Sequence, residues 1–349
     1  MENKKALIIN YPGLGNGFIL LSILRELQHT APFLKYFHIE NSVLQNNTIL
    51  EWAGVSNIVG FVPAIWRRFN IENWDDIEAF ISDNDVDLLI NLRSPEVLDE
   101  NANYKHFKQR YGYLLDFWDM YEIIHPNFKD HTMYQNIEQL FQHNNINIKN
   151  VELHWLKNRL KKSKSGYNIG FFTAASQSNK RWHPENWIEL GMKLFCCHDI
   201  SINIYAGISS EESQYAVAIS ERLQLGDQYN KAKLVKCHSI LELIDSLSKT
   251  DLLITNDTVA VHLGTVLDLP TIGMYFATSA KVWGSPNGHF SAIQSQYGLE
   301  CPHMRHGEGN CIKYYTDCSS PCKDEISPNL VLKSVIQKLE LQKGFINDH

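Results

Sequence analysis

Short apolar runs that stop at glycine, proline or a polar residue, each followed by a stretch of helical periodicity, recur in this chain in two blocks. Runs that are apolar throughout are buried on both faces. Such strands alternating with helices demand crossover connections and a parallel sheet. In the first block, Lys5 to Asn10 reads as a strand ending at Pro12-Gly13. Gly13, Gly15 and Gly17 read as a tight loop, and Phe18 to Gln28 as a helix with Ile19, Ile23 and Leu27 on one stripe. Tyr36 to Ile39 and Val86 to Leu92 read as further strands, and the aromatic-rich residues 104–122 as a helix. Strands are expected again at Tyr167 to Phe172, Ser201 to Tyr205, Leu234 to Cys237, Leu252 to Thr255 and Pro270 to Phe276. Helices are expected between them, with Pro184 in a first turn and Ser239 as a cap backed by Glu242. The basic stretch 157–166 lacks an apolar face and reads as a linker. The expected organisation is therefore an α/β domain over 1–156, the linker 157–166, a second α/β domain over 167–326, and a terminal helix and tail over 327–349.

Composition narrows the function classes. Hydrophobic residues make up 44% of the 349 and charged residues 20%, as in a globular chain. A net charge of −7 gives no basic field for nucleic acid. The run from Ala6 to Leu24 is broken by Asn10, Pro12, Gly13, Gly15, Asn16 and Gly17, so no spanning helix is expected. The expected location is cytoplasmic. Trp66-Arg67-Arg68-Phe69 mixes aromatic and basic side chains. It is a candidate for peripheral contact with the inner face of a bacterial inner membrane, and reads equally as a half-buried loop.

Three segments carry chemistry. Gly13-Leu14-Gly15-Asn16-Gly17 lies between a strand and a helix, where glycines let backbone approach a ligand. It departs from the dinucleotide spacing because position 18 is Phe, and Glu40 follows its strand too late to hold a ribose in that scheme. That disfavours a nicotinamide oxidoreductase. Lys180-Arg181-Trp182-His183-Pro184 places positive charge beside a helix start, which suits phosphate, although two solvated loop charges would look the same. Thr255-Asn256-Asp257-Thr258-Val259-Ala260-Val261-His262 runs from an apolar strand into a helix, with Asp257 or Thr258 as the N-cap.

Taken in order, these segments resemble glycosyltransferase family nine, the ADP-heptose heptosyltransferases. The family's strand, turn and apolar helix correspond to Leu14 to Arg25. Its small-residue loop and Lys-x-Trp-Pro element correspond to Thr173-Ala174-Ala175 and Lys180 to Pro184, with one extra residue before the proline. Its Gly-x-x-x-Glu element is Gly207 and Glu211, and its Asp-Ser/Thr-Gly-x-x-His-x-Ala element is Asp257 to Gly264. The resemblance implies the GT-B architecture, with two Rossmann-like domains whose parallel sheets face across a cleft. It implies inverting transfer of a heptose from ADP-heptose to a lipopolysaccharide-core or protein hydroxyl. It also implies a donor site of Gly15, Thr173, Lys180, Glu211, Asp257, Thr258, Val259, Ala260 and His262, with no divalent metal needed for transfer. Lys180 would meet the diphosphate and Glu211 the ribose.

Two departures bear on activity. Asn16 stands where the family turn carries Asp, and a neutral amide is no general base. Asn16 would then position the acceptor while Asp99, or its neighbours Glu96 and Glu100, takes the proton. The alternative is a non-catalytic sugar-nucleotide or partner-binding module of the same fold. Val259 replaces the family glycine, so ordinary helical backbone is expected there.

Cys301, Cys311, Cys318 and Cys322 put four of the chain's seven cysteines into a short stretch. Four thiolates form a closed site for structural zinc or iron, with His303 and His306 as spare ligands. The branch of the family that modifies autotransporter proteins has a cysteine-held iron, so the resemblance places iron beside zinc and a protein acceptor beside lipopolysaccharide. Homo-oligomerisation is left open.

Overall fold

The computed structural model describes residues 4–10, 13–63, 66–67, 70–71, 74–92, 114–116, 130–143, 146, 148, 151–161, 166–196, 200–207, 209–226, 231–305, 310–311 and 321–347. The chain divides into two units, Met1–Trp155 and Leu156–His349.

Unit one alternates β1 (Lys4–Ile9), α1 (Leu14–Thr30), β2 (Leu34–Ile39), α2 (Asn47–Ala53), β3 (Ile58–Val62), α3 (Trp74–Asp83), β4 (Leu88–Asn91), β5 (Leu114–Asp116) and α4 (Met133–His143). The five strands are parallel in the order β3-β2-β1-β4-β5. Leu7, Ile9, Phe37, Ile39, Val62 and Leu89 pack with Ile77 and Ile81 of α3.

The first glycine segment differs from its reading as a loop. Helix α1 begins at Leu14, so Gly15, Asn16 and Gly17 form its first turn and Gly13 is the N-cap. The physical reason is close packing. A Cβ on Gly17 would run into Asn41 Oδ1 and lie 2.8 Å from Val43 Cβ. Asn41 in turn donates to the Gly13 carbonyl at 3.2 Å and accepts from Val43 N at 3.0 Å. The helix is also buried well beyond one stripe: every residue from Gly17 to Leu24 is buried. Ser22, buried within it, donates to the Phe18 carbonyl and accepts from Trp155 Nε1 at 3.1 Å. Residues 114–116 form a strand beside β4, not part of the expected helix; the neighbouring residues lie outside the described ones.

Unit two follows the alternation expected from sequence through its fifth strand and then adds a sixth: β6 (Tyr167–Phe172), α5 (Pro184–Phe195), β7 (Ile200–Tyr205), α6 (Ser210–Gly226), β8 (Ala232–Val235, two residues earlier than expected), α7 (Ile240–Leu247), β9 (Leu252–Asn256), α8 (Val259–Leu267), β10 (Thr271–Tyr275), the unanticipated β11 (Phe290–Gln294) and, after several short turns, α9 (Pro328–Asn347). The six strands are parallel in the order β8-β7-β6-β9-β10-β11. The chain leaves β6 in one direction to build β7 and β8, then returns to β9 on the other side. Ligands in such sheets bind at the carboxyl ends of the strands where the order reverses, here between β6 and β9.

Local signals account for the helix starts. Pro184 occupies the first turn of α5. Ser239 caps α7 by accepting from Glu242 N, while Glu242 reaches back to His238 N at 2.9 Å, one residue earlier than the usual box. Trp182 and Trp187, both fully buried, pack edge to face and fill the core between α5 and the sheet. The stretch that reads as a linker is partly docked on unit two: Leu156 N donates to Val266 O and Lys161 N to Ser248 O, around a turn at Lys157–Arg159. Both units are α/β with parallel sheets.

Candidate functional site

The crevice residues of unit two come from three strand ends. Thr173 follows β6, is fully buried, and sits 3.4 Å from the Tyr205 carbonyl at the end of β7. Asn256, the last residue of β9, donates to the Thr173 carbonyl at 2.8 Å and accepts from Trp182 N at 3.1 Å. This buried amide therefore ties the loop after β6, the loop before α5 and the end of β9 into one frame. A buried side chain bonded to backbone on both sides fixes loop geometry more tightly than surface contacts do.

Lys180 and Arg181 lie on that frame and are not solvated loop charges. Lys180 Nζ is 2.8 Å from Asp257 Oδ2, and both side chains are largely buried. Thr278 Oγ1 donates to the same oxygen at 2.8 Å. Arg181 Nε donates to the Ala175 carbonyl and its Nη1 to Glu211 Oε1, each at 2.6 Å. The hydrogen bond from Arg181 holds the Glu211 carboxyl below the usual carboxylate range. Glu211 stands in the first turn of α6.

The N-cap of α8 is Thr258, whose hydroxyl accepts from Ala260 N. Asp257 is free for another task, the ion pair with Lys180. Val259 opens the helix in ordinary conformation, as expected for a β-branched residue. Gly264 lets α8 lie against the sheet, since a Cβ there would run into Thr271 Oγ1. His262 is buried behind the pair. Burial lowers its pKa to about 4, with Asp257 opposing and Lys180 reinforcing the shift. Its imidazole is neutral at pH 7, so the positive charge in the crevice belongs to Lys180 and Arg181. The structure thus brings together Thr173, Lys180, Glu211, Asp257, Thr258, Val259, Ala260 and His262 on one unit. It adds Asn256, Arg181 and Thr278, which the sequence reading did not assign. For Asn256, its place at the end of a buried strand is the one signal that could have marked it.

These segments decide the family. Residues 116–311 match Glycosyltransferase family 9 (heptosyltransferase). The chain belongs to glycosyltransferase family 9. It is a glycosyltransferase, and its fold is the GT-B fold of that family's solved members. The E. coli heptosyltransferase WaaC with ADP is 15% identical, with a TM-score of 0.61 over 96% of this chain and 99% of that one. A family 9 glycosyl transferase from Veillonella parvula DSM 2008 is also 15% identical, with a TM-score of 0.64 over 97% and 98%. TibC from enterotoxigenic E. coli H10407, described as a bacterial iron-containing dodecameric glycosyltransferase, is 10% identical, with a TM-score of 0.51 over 98% and 77%. TibC has also been solved with ADP-D-β-D-heptose. No curated protein matches the chain by sequence.

The remaining expected site residues are placed unevenly. Asn16 is half-buried in the first turn of α1, beside Gly15. Asp99, Glu96 and Glu100 lie outside the described residues, as does Cys318. Cys301 ends the short helix Gln296–Glu300, Cys311 is buried with its amide on the Ala277 carbonyl, and Cys322 lies in the turn Pro321–Lys323. Glu325 accepts from Ser295 Oγ and Tyr297 N, which holds the Cys301 helix beside the Cys322 turn. Among the described residues no three His, Cys, Asp or Glu side chains are grouped to hold a metal. Among those residues no helix is long and apolar enough to cross a membrane.

Proposed function

We propose that this family 9 enzyme transfers a heptose from ADP-heptose to a hydroxyl of a lipopolysaccharide core or a protein, with inversion at the anomeric carbon. The observation that carries the reading is the Lys180–Asp257 pair at the strand-order reversal, beside the start of α8. The donor lies over that helix start. Lys180 meets the diphosphate beside the start of α8, Asp257, itself held by Thr278, keeps Lys180 in place, and Glu211 takes the ribose. The acceptor oxygen attacks the anomeric carbon, the bond from that carbon to the diphosphate breaks, and the acceptor proton passes to a base. Charge developing on the leaving diphosphate is stabilised by groups already oriented, so no reorganisation is needed during transfer. Asp257 is engaged by an ammonium and a hydroxyl, and we propose transfer without a divalent metal on that account.

The base is assigned to Asp99, with Glu96 and Glu100 as its alternates and Asn16 positioning the acceptor. Asn16 also favours a second reading, a donor-binding module that does not turn over. Incubating the purified chain with ADP-heptose and each acceptor class, and following ADP release and acceptor mass, separates the two. A heptose-sized mass gain supports transfer; saturable ADP binding without any gain supports the module.

We further propose that Cys301, Cys311, Cys318 and Cys322 hold one structural zinc or iron. The described thiols do not form the site alone, so the proposal depends on Cys318. Its support is the cysteine clustering and the Glu325 bridge between the Cys301 and Cys322 segments. Metal per chain, measured on untagged reduced protein, should be about one equivalent. Less than about a tenth would leave four ordinary thiols.

A further inference from the structure

Resting on the donor reading above, we propose that Arg181 is a positioning residue for nucleotide selectivity: it holds the Glu211 carboxylate where a ribose diol is recognised. The two cations of the Lys180-Arg181 pair diverge, one to Asp257 and one to Glu211. Their burial is unequal in an informative way. The Arg181 side chain is 8% exposed, whereas its partner Glu211 is 71% exposed. An ion pair between two exposed side chains would do little, because each end rotates freely and solvent screens it. Here one end is rigid. The guanidinium is fixed by Nε on the Ala175 carbonyl at 2.6 Å, which leaves its Nη1 aimed at Glu211 Oε1. Burying a guanidinium costs desolvation, and the fork geometry confers direction in return.

The rest of the frame keeps α6 in step with Arg181. Tyr215, four residues after Glu211 and so on the same face of the helix, donates its hydroxyl to the Trp182 carbonyl. Trp182 N is in turn held by Asn256. The first two turns of α6 are therefore tethered to consecutive residues, Arg181 and Trp182. What this presents to solvent is a carboxylate held at one oxygen, within reach of a ligand. A carboxylate is an acceptor with no donor of its own, which suits two vicinal hydroxyls and nothing that only accepts. The lowered pKa of Glu211 keeps it in that form. A free glutamate on a first helical turn would have to be ordered by the ligand at each binding event, and Arg181 removes that cost in advance.

The test is calorimetric titration of ADP and 2′,3′-dideoxy-ADP into the full chain, which separates recognition of the diol from binding of base and diphosphate. The wild type should prefer ADP by about ten- to a hundredfold, the range for hydrogen bonds to a charged group. In Arg181→Gln that preference should fall to within about threefold, with the dideoxy affinity little changed. Glu211→Gln should reduce the preference similarly, and the double variant should add little to either single one. Arg181→Lys keeps the buried charge but not the fork, and decides the matter should Arg181→Gln fail to fold; its preference should also drop. A wild-type preference retained in either Arg181 variant overturns the inference, as does an equal weakening of both nucleotides. A wild type that binds both nucleotides equally overturns it too, while leaving the donor site standing. A wild type that binds neither overturns the donor reading itself.

Discussion

The turn after β1 in unit one and the turn after β9 in unit two begin alike: a buried parallel strand ends and a helix starts within a few residues. They are built by different means. After β1 the work is steric, with Gly17 bringing α1 against Asn41 and Val43. After β9 it is polar, with Asn256 bonded to two other loops and Asp257 gripping Lys180. A steric turn places backbone and a helix end. A polar frame places charge, and it does so before any ligand arrives. On the function proposed above, the first turn positions the acceptor and the second binds the diphosphate.

The largest expected effect tests the proton step assigned to unit one. Asp99→Asn should lower the transfer rate about 10²–10⁴-fold with donor affinity unchanged, in single-turnover kinetics with ADP-heptose. Asn16→Asp should fold and retain activity. Normal rates in Asp99→Asn would move the base to Glu96 or Glu100.

Next comes acid sensitivity of unit two. The folded chain holds the His262 pKa at about 4, below its ordinary 6.5. The unfolded chain therefore takes the proton first as pH falls. Stability is unaffected by this group above about pH 6.5, declines between about 6.5 and 4, and levels below that. The decline from this residue is on the order of 3 kcal/mol. Urea unfolding of wild type and His262→Gln across that window should show a steeper loss of stability in the former, the difference being the His262 contribution.

Gly17→Ala should destabilise the chain by about 1–3 kcal/mol through overpacking, seen as a lower urea midpoint, while leaving ADP affinity intact. Thr258→Ala should cost about 0.5–2 kcal/mol, the usual loss for a cap. Asp257→Ala should differ in kind, releasing Lys180 and weakening ADP binding more than it lowers the melting temperature. Equal behaviour of these two variants would erase the distinction between cap and ion-pair partner.

What was legible in the sequence was local. Pro184, Ser239 and most apolar strands of unit two act on neighbours within a few residues, and their elements formed where the pattern put them; the strand at Ala232–Val235 starts two residues early and Phe290–Gln294 carries too weak a pattern to be expected. The segments proposed to bind the donor stood out as a set because each sits at a strand end. Asn256 was not, because its partners are 74 and 83 residues away and an amide's pairing has no sequence signature. Arg181 could equally have been a solvated charge, because the hydrogen bonds that hold it, to Ala175 and Glu211, leave no local pattern in the sequence. The glycines of the first turn read as a tight loop and not as the start of the helix because glycine looks the same whether it confers conformational freedom or makes room. The sterically demanding neighbours, Asn41 and Val43, lie beyond the next strand. Residues 114–116 were misjudged because a three-residue strand is recruited by its neighbour β4 and not by its own pattern.

Whether Lys180 binds the donor is tested by the affinity of ADP for wild type and Lys180→Ala, by calorimetry at one salt concentration with melting temperatures recorded alongside. ADP should bind the wild type saturably. In the variant the affinity should be about 10- to 150-fold weaker, the loss of one charge-assisted phosphate contact, with the fold retained. Equal affinity in the two proteins would contradict this, because the ammonium held by Asp257 would then have no part in binding the donor.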